Sequence, residues 1–98
     1  MTVNRQHLST YCTTIAQVAD LVCITYHKTQ IVAFDRLNIS LDTGGWDGVT
    51  TRRKMNQASN QFGLGYSVYR VKGETWVRTP CGNVLRLERD ITFARRAA

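Results

Sequence analysis

The stretch Gly48-Val-Thr-Thr-Arg-Arg-Lys-Met55-Asn-Gln-Ala-Ser-Asn-Gln-Phe62-Gly63-Leu-Gly65-Tyr66-Ser-Val-Tyr-Arg-Val71-Lys72-Gly73 decides the fold. Its first half reads as a helix over about residues 50–62. Met55, Ala58 and Phe62 lie at i, i+3 and i+7 and form one apolar stripe. Thr50 or Thr51 is placed to cap the start, and Gly63 supplies a left-handed stop. The second half reads as a hairpin in which Tyr66 to Val71 and Thr75 to Arg78 flank the turn Lys72-Gly73-Glu74. Setting Val71 opposite Glu74 brings Tyr69 to Trp76 and Val68 to Val77. Tyr69, Val71 and Trp76 then share one face, and Tyr66, Val68 and Val77 the other. One face should meet the helix; the other needs a second cover, from the N-terminal segment, a twin subunit or a ligand.

Upstream, Leu21 to Tyr26 and Ile31 to Phe34 are short apolar runs rich in β-branched and aromatic residues, joined by His27-Lys28-Thr29-Gln30, and predict a hairpin. Leu37, Ile39 and Leu41 alternate with Asn38, Ser40 and Asp42, the mark of a strand with one face on a core. Residues 42–48 hold three glycines and read as a loop. Residues 5–19 fit helical spacing through Leu8, Tyr11, Cys12, Ile15 and Ala19, yet Thr10, Thr13, Thr14 and Val18 favour a strand; an extended segment that starts the sheet is the reading adopted. Downstream of the hairpin, residues 80–83 turn the chain, and Val84, Leu85 and Leu87 alternate with Arg86 and Glu88. Ile91 and Phe93 extend the pairing, and residues 94–98 read as a frayed basic tail. The order strands, helix, strands predicts an α+β fold, an antiparallel sheet of about five or six strands with one main helix on one face.

A chain of 98 residues sustains a single domain, here 1–98 with its core over about 21–93. Thirteen basic residues against seven acidic give a net charge of +6, and ten of the thirteen are Arg. That balance favours nucleic acid or an acidic protein as partner, and the planar guanidinium suits phosphate, carboxylate or a guanine edge. Cys12, Cys23 and Cys81 are odd in number and match no zinc or redox spacing, so they read as reduced, with no metal site and no cofactor. No apolar run approaches a membrane span and the first residues carry no signal-peptide core. The cytoplasm is the expected location.

The excess charge is concentrated in the opening stretch: from Gly48 to Gly73 there are 26 residues without an Asp or Glu. On a helical wheel Arg53, Asn56, Gln57 and Asn60 fall opposite Met55, Ala58 and Phe62. These are side chains able to read base edges or bind sugars, and the plain alternative is a solvated polar face. Arg52, Arg53 and Lys54 stand in the first turn, where the helix dipole disfavours cations. They call for a compensating anion, either a phosphate at the helix start or Asp42 or Asp47 from the loop. The glycines of 44–48 are not a P-loop, since the Gly-Lys-Ser/Thr ending is absent. Trp46, Tyr66, Tyr69 and Trp76 interleave with basic residues, a combination that serves base stacking, or packing of a small core. Arg70 and Lys72 extend the basic surface along the hairpin. For catalysis the inventory is thin: His27 near Asp35 or Asp42 is an acid/base pairing to consider, and no catalytic motif is present.

The pattern Gly44-Gly45-Trp46, Thr50-Thr51, Arg53, Met55-Asn56-Gln57, Asn60, Phe62, Leu64-Gly65, Val68-Tyr69 and Trp76-Val77 resembles small uncharacterised proteins of tailed bacteriophages and prophages, over about residues 21–78. The resemblance implies an accessory protein that acts by binding and carries over no catalytic residues. The expectation is a non-enzymatic protein that binds nucleic acid, DNA or RNA, through Arg52, Arg53, Lys54, Asn56, Gln57, Asn60, Trp46, Tyr69, Arg70 and Lys72. The alternative is an interaction module that inhibits or redirects a host polymerase, nuclease or defence complex. A homodimer suits either, and a small hydrolase around His27 is the remaining reading.

Overall fold

A computed structural model describes residues 13–45 and 48–95. It divides eight strands between two antiparallel sheets, with one helix among them. The five-stranded sheet runs β1 (Thr13–Val18), β2 (Leu21–Tyr26), β3 (Thr29–Phe34), β4 (Asn38–Asp42), then β8 (Asp90–Ala94) beside β4. The helix α1 (Val49–Phe62) follows β4, and β5 (Ser67–Val71), β6 (Glu74–Arg78) and β7 (Val84–Arg86) make the three-stranded sheet. The expected class and order hold. The single sheet of five or six strands becomes two sheets, because the last strand crosses back to β4 instead of continuing from β7.

The register explains the core. Val22, Phe34 and Ile39 lie in line across the first sheet with Phe93, and Ile24, Val32 and Leu41 line up with Ile91. All but Ile91 are buried, and they meet Met55 and Ala58 of α1, Val68 and Val77 of the second sheet, and Tyr66 and Leu87 beside its strands in one cluster. Phe34 packs against Phe62 at 5.1 Å between ring centroids and Tyr66 meets Phe93 edge-on at 5.9 Å, so aromatic pairs tie the helix and the second sheet to the first. A register shift between Ile24 and Thr25 leaves Ile31 as an extra residue of β3, and Ile31 and Val32 are both buried. Such a bulge re-aims a side chain that strict alternation would send outward.

Local sequence accounts for the boundaries, with some departures from expectation. The helix starts at Gly48, in extended backbone with no side-chain cap, and Thr51 is buried inside it rather than capping it. Gly63 closes it in the left-handed region at φ 64°, as anticipated. Leu37 stays outside β4 and is exposed, because Asp35 accepts the amides of Leu37 and Asn38 at 2.8 Å each and holds a tight turn there. Those two amides, Asn38's first, keep the Asp35 carboxyl below its ordinary range. At the other end, Ala94 pairs with Asn38, and Arg95 donates from its guanidinium to the Asp35 carbonyl at 2.9 Å and lies over the Phe34 ring. Pairing thus runs further than the tail expected from 94 onward, whose residues 96–98 lie outside the described ones. Of residues 5–19, those from 13 form β1 and a turn, and 5–12 also lie outside.

Candidate nucleic-acid interface

The hairpin places its side chains as its register requires. Val68 pairs with Val77, Tyr69 with Trp76 and Val71 with Glu74, and β7 adds Leu85 beside Val77 and Arg86 beside Trp76. The turn needs two residues at positive φ, which Lys72 (51°) and Gly73 (82°) supply, so the strands close with the twist that suits them. The Val68, Val77 face is buried toward the helix. The opposite face looks outward: Tyr69 and Trp76 are half-buried side by side, with Ser67, Val71, Arg78 and Val84 exposed around them. Arg86 spans that face, 3.1 Å from Glu74 and 3.7 Å from Glu88.

The helix reaches the second sheet by an unusual use of polar side chains. It lies along β5, whose outer edge has no strand partner among the described residues. Ser59 accepts the Tyr66 amide at 3.0 Å and donates to the Tyr66 carbonyl at 2.7 Å. One turn earlier, Asn56 donates to the Val68 carbonyl at 2.8 Å and accepts the Val68 amide at 2.7 Å. Two side chains therefore take the place of a neighbouring strand and cover an edge that would otherwise invite pairing. The Tyr66 hydroxyl adds a 2.6 Å bond to the Met55 carbonyl, and burial pushes its pKa well above the ordinary tyrosine value.

This geometry sorts the residues expected to bind a partner. Arg53 and Asn60 are exposed on the outer helix face; Arg52 and Gln57 are half-buried on its flanks and already engaged in contacts of their own. Asn56 is spent on Val68. Lys54 is 2 % exposed and holds its ammonium 5.1 Å from the centre of the Tyr26 ring, on the core side of the helix rather than its surface. Arg70 is exposed at the hairpin end, its guanidinium 3.3 Å from the Gly73 carbonyl, and Lys72 is exposed in the turn. Trp46 lies outside the described residues. Arg78 and Arg86, unremarked as site residues, join the set because cross-strand register puts them beside Trp76 and Val84; the alternation in residues 75–78 and 84–86 carried that signal.

The remaining sequence leads resolve into structure. Asp42 accepts the Gly44 amide at 2.7 Å and Asp35 holds its turn, so both carboxylates serve backbone amides. His27 sits at positive φ in the β2–β3 turn, its ring 4.3 Å from that of Tyr26. Cys23 and Cys81 are free thiols, and the described residues contain no group of side chains able to hold a metal ion and no helix long and apolar enough to cross a membrane. No curated protein and no solved structure gives a significant match to the chain. The family model described as Kyanoviridae Gp96 protein matches residues 2–94, nearly the whole sequence, and the chain belongs to that family of tailed-phage proteins.

Proposed function

We propose that this phage protein acts by binding nucleic acid, with the outer face of the three-stranded sheet as a stacking platform and the cations around it as phosphate contacts. The observation that carries this reading is the pair Tyr69 and Trp76, half-buried on an otherwise exposed sheet face, with Arg78 in the strand of Trp76, Arg70 and Lys72 exposed in the same hairpin, and Arg53 exposed on α1. No ion pair joins any of these four cations to an acidic group among the described residues. Aromatic rings on a sheet face accept bases without regard to sequence, and exposed arginines and lysines supply the phosphate term.

Four phosphate contacts to a single strand give a log–log salt slope near −3, so affinity falls about 50-fold between 50 and 200 mM salt. Anisotropy titrations with labelled single- and double-stranded DNA and RNA test this, and absence of binding at low salt overturns it. A second reading, docking on a host protein, draws on the exposed Val71 and Val84 at the margin of the same face. A pull-down from host lysate separates the two: partners that survive nuclease treatment favour the host protein, and their complete loss favours nucleic acid.

A further inference from the structure

A cavity of about 360 Å³ opens between the β2–β3 turn, the end of β4 and the first turn of α1, lined by Tyr26, His27, Thr29, Ile31, Thr43 and Thr51. It is distinct from the sheet face described above. Three threonine hydroxyls, the Tyr26 phenol and no carboxylate stand among its described lining residues. Thr43 is committed, donating to the Arg89 carbonyl and accepting the Gly45 amide, each at 3.2 Å. Thr51 is not. It is 3 % exposed, yet its hydroxyl makes no hydrogen bond within the described residues. No fully enclosed side-chain oxygen or nitrogen among the described residues lacks a partner, so this hydroxyl opens onto the cavity. Something other than the described residues, water or a ligand, must fill the hydrogen-bonding capacity of such a hydroxyl.

The surroundings define what that something is. Thr51 is the third residue of α1, whose first amides have no partner within the helix and whose dipole presents positive charge at this end. The first turn contains no acidic residue. Lys54, buried on the same side, brings its ammonium to the Tyr26 ring that forms part of the cavity wall. His27 stands at the rim against Tyr26. Among the described lining residues, hydroxyls stand beside the helix start and the Lys54 ammonium without a carboxylate, which suits a tetrahedral oxyanion better than a neutral ligand. The volume lies near the lower end of small-molecule pockets and exceeds what a lone phosphate fills, leaving space for an attached group against the Tyr26 and His27 rings.

We infer that this cavity binds a phosphate monoester, with the Thr51 hydroxyl and the start of α1 on its oxygens and Tyr26 beside the organic part. A free mononucleotide and the phosphorylated end of a strand share that chemistry. Amide chemical shifts of the full chain, followed by NMR during titration with inorganic phosphate, AMP, and oligonucleotides with and without a 5′-phosphate, test the inference. AMP is expected to give saturable shifts at Thr29, Thr43 and Thr51. Thr51→Val, which removes only the hydroxyl, is expected to weaken AMP about tenfold while folding as the wild type does. Thr29→Val serves as a second isosteric probe, and Trp76→Ala is expected to leave AMP affinity unchanged. Preference for the 5′-phosphorylated oligonucleotide over its unphosphorylated twin, abolished by Thr51→Val, identifies a strand end as the source; AMP binding without it identifies a free nucleotide. Absence of saturable shifts with both phosphate and AMP, or equal AMP affinity in Thr51→Val and wild type, overturns the inference.

Discussion

Replacing Asn56 by Ala removes the side chain that stands in for a strand at the β5 edge. Both bonds are short and reciprocal, Nδ2 to the Val68 carbonyl at 2.8 Å and the Val68 amide to Oδ1 at 2.7 Å. A typical hydrogen bond contributes about 1 kcal/mol net, and a buried backbone group left without a partner costs about 1–3 kcal/mol. Val68 is 4 % exposed whereas Asn56 is only half-buried, so water entering the vacated space restores part of the loss. The balance is a destabilisation of about 2–4 kcal/mol, a large share of the roughly 5–15 kcal/mol that holds a small domain together. For a chain of this size it lowers Tm by about 10–25 °C. Thermal and urea melts of Asn56→Ala beside Asn60→Ala are the assay. Asn60 is exposed on the outer helix face, and its truncation is expected to stay within about 0.5 kcal/mol. Asn56→Asp, which keeps an acceptor but faces the Val68 carbonyl with a carboxylate, should cost at least as much as Ala. If Asn56→Ala melts within about 0.5 kcal/mol of wild type, the helix does not hold the sheet edge in the way described.

Three further outcomes follow from the same geometry. Tyr66 has a folded pKa raised by burial above its ordinary 10.0, so its contribution is fully present below pH 10 and is lost as pH rises beyond it; Tyr66→Phe should cost about 1 kcal/mol at neutral pH and show a shallower alkaline loss of stability in melts taken from pH 8 to 11. Gly44 has φ 67°, and a Cβ there would stand 2.7 Å from the Thr29 hydroxyl, so Gly44→Ala should destabilise by about 2–4 kcal/mol. Gly45→Ala, at φ 84° with open space around it, should cost only the backbone part, about 1–2 kcal/mol, in parallel urea melts. Met55 is fully buried between helix and sheets, and Met55→Ala should cost about 2–5 kcal/mol by the same measurement.

What the sequence makes legible is whatever short-range chemistry determines. The hairpin's register is legible, since setting Val71 opposite Glu74 fixes the pairing and a period of two then fixes both faces; its strands run Ser67–Val71 and Glu74–Arg78, one residue off the expected Tyr66 and Thr75 starts. The helix stop at Gly63 is legible for a similar reason. Its start is not: Thr50 and Thr51 are good capping types, but Thr51 turns inward and leaves the extended Gly48 to begin the helix. The pairing of β4 with β8 joins Ser40 to Thr92 across 52 positions, and nothing local announces it. At the candidate site the exposed Arg53 and Asn60 follow from the wheel. Lys54 departs from the expected surface charge: it lies three residues from Thr51 and four from Ala58, on the buried stripe. Asn56 lies on the expected polar side, yet its donor and acceptor match a strand edge that only the assembled fold creates.

The Tyr69 and Trp76 face is proposed to receive bases, and the most direct measurement is the affinity of a single-stranded oligonucleotide for wild type and Trp76→Ala at several salt concentrations between about 50 and 200 mM, with circular dichroism confirming that both are folded. Losing one stacking partner costs about 1–3 kcal/mol, so the variant should bind about 5- to 150-fold more weakly while its salt slope stays near −3. Equal affinity of the two folded proteins would contradict the claim.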